Sequence, residues 1–155
     1  MGQQQLLLVI LVTIIVGIAT VVAINIFGTA ADQANRDAVR QDLMGAATHA
    51  QAVFARPKMM GGLGREFDGL DIRDLRIPSS QPQQDTATSI SNDNGTYTLS
   101  GASGNDFTIT ADPTSGGDDI KMDVQWDPGE RIWRFRWDDG EWSGPGEEAG
   151  NGGDE

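Results

Sequence analysis

The chain is predicted to fold as an α+β protein: one long N-terminal α-helix, apolar in its first half and amphipathic in its second, with the second half packed on a small antiparallel β-sheet. Three observations predict it. Leu6 to Phe27 is an almost unbroken apolar run. That run passes without a break in pattern into the amphipathic stretch Ala30 to Ala55, which makes one continuous helix. After the glycine-rich joint Gly61-Gly62-Leu63-Gly64, the hydrophobic period falls from about 3.6 residues to about 2, the period of strands.

The first element, residues 1–29, carries no charged side chain. Roughly 20 apolar residues at about 1.5 Å each cover the hydrocarbon core of a bilayer, about 30 Å thick. Thr13, Thr20 and Asn25 are the polar interruptions, and a helix satisfies hydroxyls internally. A cleaved secretory signal needs a basic start and a shorter apolar stretch. Met1-Gly2-Gln3-Gln4-Gln5 has no basic side chain, so the segment is expected to remain in the mature protein as a membrane-spanning helix.

In the second element, residues 30–57, Val39, Leu43, Ala46, Ala50 and Val53 recur at steps of four and three and extend an apolar stripe. Asp32, Arg36, Asp37, Arg40 and Asp42 are expected on the opposite face. Pro57 ends the helix, because it lacks an amide hydrogen and biases Arg56 out of the α region.

The third element, residues 58–143, is the β domain. Glu66 to Gln84 reads either as a short helical turn or as an extended segment. Strands are expected at Thr96–Leu99, Phe107–Ala111, Ile120–Trp126 and Arg131–Trp137, separated by turn residues. The last two form a hairpin about a tight turn at Asp127-Pro128-Gly129-Glu130. With Trp126 opposite Arg131, Val124 faces Trp133, Met122 faces Phe135 and Ile120 faces Trp137, while Asp123 lies opposite Arg134 on the other face. Met122, Val124, Trp133 and Phe135 thereby offer the helix stripe an apolar surface. In the last element, residues 144–155, glycines and acidic residues leave too little apolar surface to order a tail.

Composition limits what the chain does. Its 155 residues contain no cysteine and one histidine, His49, which excludes a disulfide framework, a thiolate metal site and a multi-histidine centre. A net charge of −12 disfavours nucleic acid as a partner.

An apolar half-helix, an amphipathic half-helix and a compact antiparallel sheet together resemble type IV pilins and pseudopilins. Gly2 stands just before the hydrophobic run, where prepilins have the glycine preceding their processing site, so the resemblance implies processing between Gly2 and Gln3. Asn35-Arg36-Asp37-Ala38-Val39-Arg40-Gln41-Asp42-Leu43, followed by Ala46 to Phe54, is similar to the pilin second half-helix, in which alanines and a late aromatic pack on the sheet. Gln3, Gln4, Gln5, Leu6 and Leu7 occupy the stretch where pilins usually carry a glutamate. The resemblance implies a structural subunit of an extracellular filament, with copies of itself as partners. It also implies a membrane-held precursor delivered to assembly machinery, and a core built by Leu6, Leu7, Val9, Ile10, Ile14, Gly17, Ile18 and Val21. The alternative is a single-pass membrane-anchored accessory or binding module with an extracytoplasmic β domain. Taken alone, Arg36 and Arg40, which follow the apolar run, favour a cytoplasmic β domain under the positive-inside rule; the resemblance implies an external one.

Other candidate sites read as structure. His49 lies among alanines and is expected to be a packed or surface residue. Trp126, Trp133 and Trp137 alternate as core residues do, and Trp142 lies beyond the hairpin. Asp112-Pro113-Thr114-Ser115-Gly116-Gly117-Asp118-Asp119 lacks the carboxylate spacing of a hand-type calcium loop and is expected to be a solvated turn. No nucleophile and base can be paired. Neither enzymatic activity, nor a cofactor, nor a metal is expected.

Overall fold

The computed structural model describes residues 2–143. Met1 and the expected tail at 144–155 lie outside the described residues. The first helix, α1, runs unbroken from Gly2 to Ala55. The chain divides into two units, one ending at Ala34 and one beginning at Asn35, and α1 contributes to both.

In the first unit the helix is apolar on every side, and none of its apolar residues is buried. Thr13 donates its hydroxyl to the carbonyls of Val9 and Ile10, Thr20 to that of Val16, and Thr29 to those of Asn25 and Ile26. These bonds leave no threonine hydroxyl needing water, as a helix crossing an apolar medium requires.

The second unit is a helix face laid on a five-stranded antiparallel meander, β1(Ser89–Ser91), β2(Gly95–Ser103), β3(Asp106–Pro113), β4(Ile120–Asp127) and β5(Ile132–Trp137), in sequential order. Alternation places Tyr97 and Leu99, then Phe107, Ile109 and Ala111, then Ile120, Met122 and Val124 on the inner face. They share one core with Val39, Leu43, Ala46, Ala47, Ala50 and Phe54 of the helix. Three alanines alternate with larger side chains on that helix face, and Phe54 meets Phe67 and Trp133 at its end. The segment left open by sequence, Glu66 to Gln84, contains a short 3-10 turn at Ile72–Leu75, and another such turn lies before it at Lys58–Met60. Asp71 caps the second turn by accepting from the Arg73 amide, and Asp74 accepts from the Asp71 amide. Phe67, Leu70, Ile72, Leu75 and Ile77 close the same core.

Two expectations require correction. The β4–β5 hairpin pairs Trp126 with Trp133, Val124 with Phe135, Met122 with Trp137 and Asp123 with Arg136, two residues from the expected register. Its loop is longer than a two-residue turn because the Asp127 side chain accepts from the amides of Gly129 and Glu130, and Arg131 takes a left-handed conformation at φ 59°. A shift of two preserves facing, so Met122, Val124, Trp133 and Phe135 still point to the core side. The second correction concerns the helix. Asp42 and Arg36 do not lie on a face turned away from the domain: Arg36 bonds to a loop, and Asp42 to a loop and to β2. Strand β1 was not expected at all.

Candidate functional site

The surface with the clearest chemical demand is the apolar half of α1. Leu6, Leu7, Val9, Ile10, Ile14, Ile18 and Val21 are all exposed, Ile18 at 62% and Ile10 at 47%. At about 100° per residue, Leu7, Ile10, Ile14, Gly17, Ile18 and Val21 share one face, while Leu6 and Val9 extend it around the cylinder. Apart from its chain neighbours and the helix's own backbone, nothing lies within 4 Å of where a Cβ on Gly17 would stand. This leaves a notch in the apolar surface of the kind at which a second helix backbone can approach closely. Gly2 and Gln3 begin the helix, with no acidic residue in its first turn.

In the unit from Asn35 onward, the helix is held to the loops of the sheet by polar bonds at one end. One carboxylate oxygen of Asp42 accepts from the hydroxyl of Tyr97 at 2.6 Å, from Asn94 Nδ2 at 2.9 Å and from Asn92 Nδ2 at 3.0 Å. Tyr97 has no exposed surface, and burial, then the Asp42 carboxylate, pushes its phenol well above the ordinary value of 10.0. Asn35 adds two bonds, donating to the Asn94 carbonyl and accepting from the Ser115 amide. Arg36 donates to the Asp118 carbonyl. Sequence reasoning missed this cluster. The available signals were the turn-forming Asn92-Asp93-Asn94-Gly95 and the step of three from Val39 to Asp42.

At the other end packing dominates. Phe54 meets Phe67 at 4.8 Å and Trp133 at 5.1 Å between ring centroids, and Trp126 lies 5.0 Å from Trp133. Val39, Leu43, Ala46 and Ala50 are buried, Val53 is half-buried, and Met122 and Val124 are fully buried. Trp133 and Phe135 are half-buried because β5 is an edge strand, although the Ser143 backbone bridges to Phe135.

The outer face of the sheet carries a second polar network. Asp123, only 6% exposed, accepts from Thr108 at 2.6 Å and from Arg136 Nε at 2.9 Å, with Lys121 at 3.7 Å. Burial pushes its carboxyl up, but Thr108, Arg136 and Lys121 together outweigh that and hold it below 3.8. The Arg136 guanidinium also lies 4.7 Å from the centroid of the Trp142 ring.

His49 is exposed, and the segment from Asp112 to Asp119 is the end of β3 followed by a turn, tied by the Thr114 amide to the Asn94 carbonyl. Among the described residues, no three His, Asp or Glu side chains converge in a way that could hold a metal ion. The structure thus brings together the helix stripe and the inner sheet face, and leaves the apolar half-helix exposed on the chain. In comparisons with protein-family models, curated proteins and solved structures, the chain matches none.

Proposed function

We infer that this protein is the structural subunit of a pilus-like filament at the cell surface. The observation that carries the reading is α1 itself, a single helix whose first half is apolar on all sides and wholly exposed, and whose second half is the central element of a folded acidic unit. An exposed apolar helix this long is stable only in lipid or among other apolar helices. A subunit that leaves lipid to bundle with copies of itself keeps that surface out of water throughout. Leu6, Leu7, Val9, Ile10, Ile14, Ile18 and Val21 supply the packing surface, and Gly17 the close approach. The uncharged amides of Gln3, Gln4 and Gln5 can hydrogen-bond between neighbouring copies where a carboxylate would require an ionic partner.

Electron microscopy of material sheared from the cell surface, with mass spectrometry of the protein it contains, tests the reading. Thin filaments containing this chain are expected. Recovery of the chain solely in the membrane fraction would replace the filament with a single-pass anchored module. Labelling a Ser100→Cys variant, at an exposed position of β2, with a membrane-impermeant maleimide on intact cells is expected to succeed, which would place the β domain outside. A domain facing the cytoplasm would stay unlabelled until the membrane is broken.

A further inference from the structure

The geometry points to a head-to-tail contact between copies of this chain, made by the unit from Asn35 onward and resting on the filament reading: a methionine–arginine pole of one copy seats on the acidic turns at the opposite pole of the next. The two poles are separated along the helix. Asn35 and Phe54 are nineteen residues apart in α1, about 28 Å at about 1.5 Å per residue. At the Phe54 end, residues 57–65 fold back on the helix terminus, with the amides of Leu63 and Arg65 donating to the carbonyls of Val53 and Phe54. This fold projects Met59 and Met60, which are 99% and 76% exposed. Among the described residues, no other large apolar side chain of this unit is as exposed. Arg56, Arg65 and Arg131 are exposed at the same end, and none has a carboxylate partner among the described residues. Glu66, Asp127 and Glu130 there are already engaged by Lys58 and Arg134, which leaves Asp68 and Asp106 as the local unpaired carboxylates.

The Asn35 end has the opposite character. Asn35 and Arg36 bond to the turns at 92–94 and 114–119; these turns and the end of β3 carry Asp93, Asp112, Asp118 and Asp119, all exposed and without an ion pair among the described residues. The cations nearby are engaged: Arg36 by a backbone carbonyl, Arg40 by Asp37 and Lys121 by Asp139. A chain with a net charge of −12 therefore sets Arg56, Arg65 and Arg131 with its most exposed thioethers beside Asp68 and Asp106 at one pole, and Asp93, Asp112, Asp118 and Asp119 at the other. Complementary charge selects the orientation of an encounter, and flexible methionines adapt to the surface they meet. A contact between two different patches of identical copies is heterologous, and it propagates as an open helix where its rotation does not close a ring. The apolar half-helices would supply most of the association energy, and the poles would set the axial register.

The test uses the full chain in surface filaments. Arg56→Glu with Arg65→Glu reverses one pole, and Asp118→Lys with Asp119→Lys reverses the other. Each pair alone is expected to cut sheared-filament yield at least about tenfold, the effect of about 1.4 kcal/mol per contact. The fourfold variant, with both poles reversed, is expected to recover most of the yield. Met59→Ser with Met60→Ser should lower yield without recovery by either reversal. Thermal melts of each variant in detergent are expected to match the unmodified protein, because all these side chains are exposed. Filaments at full yield from a single-pole reversal, or no recovery in a fourfold variant with an unchanged melt, would overturn the contact while leaving the filament reading intact. Absence of filaments from the unmodified chain would remove both.

Discussion

Asp42 gathers three donors on one oxygen, and they come from a turn and a strand far from it in the chain. Hydrogen bonds to a charged acceptor contribute roughly 1.5–3 kcal/mol each, and a buried polar group that loses its partner adds its own desolvation cost. Tyr97→Phe is therefore expected to lower unfolding free energy by about 1.5–3 kcal/mol, read by denaturant titration in detergent. Asp42→Ala should cost more, since it leaves the buried Tyr97 hydroxyl without its acceptor. Equal effects would mean that another group takes up the phenol. Asp123 makes a pH prediction. Its folded carboxyl is held below the ordinary value of 3.8, so the unfolded chain binds its proton first as pH falls. The stability this group contributes is complete above its unfolded value and is lost as pH falls through the folded one. Unfolding free energy is accordingly expected to decline below about pH 4, and Asp123→Asn to shallow that decline while lowering stability at neutral pH.

Among the elements, the end of α1 and the last hairpin show what sequence conveys and what it hides. Pro57 announced the helix terminus because a missing amide and a fixed φ act locally. The way residues 57–65 satisfy the terminal carbonyls was hidden, because it depends on a close approach between Gly62 and the Arg56 backbone. A Cβ at Gly62 would collide with the carbonyl group and Cβ of Arg56. Gly62→Ala is thus expected to destabilise the second unit by roughly 1–3 kcal/mol, measured by thermal melt, through displaced backbone. In the hairpin, Pro128 and Gly129 pointed to a two-residue turn, whereas an Asp127 side chain bond and a left-handed Arg131 set the loop. Neither feature follows from residue type alone. The facing pattern was legible because the period of a strand is 2. Register was not, since two registers that differ by two residues bury the same side chains. Asp123 does not distinguish them either, since one register sets Arg136 opposite the buried carboxylate and the other sets Arg134 there. Strand β1 escaped notice because Ile90 is the single apolar residue in its three.

The whole molecule was legible where long patterns carry it: a charge-free apolar run, a stripe continuing past it, and a change of period. The fastening of the helix by Asn35, Arg36 and Asp42 was not, because polar side chains on a helix read as solvated until a loop from elsewhere in the chain meets them. The filament reading makes a prediction at this scale. Ile14→Asp puts a carboxylate in the middle of the apolar half-helix, where burial without a partner costs several kcal/mol. Filaments are expected to disappear from the cell surface, while the melt of the full chain in detergent stays unchanged. Normal filament yield from that variant would show that this part of the helix does not pack in a core.

The exposed thioethers also give the molecule a chemical vulnerability. Hydrogen peroxide transfers one oxygen to a methionine sulfur and leaves as water, and the resulting sulfoxide is polar where the thioether was apolar. Met59 and Met60 lie open to such attack, whereas Met122 has no exposed surface. Peptide mapping after brief peroxide treatment should find Met59 and Met60 oxidised before Met122, with the fold retained. An early sulfoxide at Met122 would show that the sheet opens readily. In the unassembled chain, the pole carrying Met59 and Met60 is therefore the part, among the described residues, that records oxidative exposure first, and enzymatic reduction of its sulfoxides would erase the record.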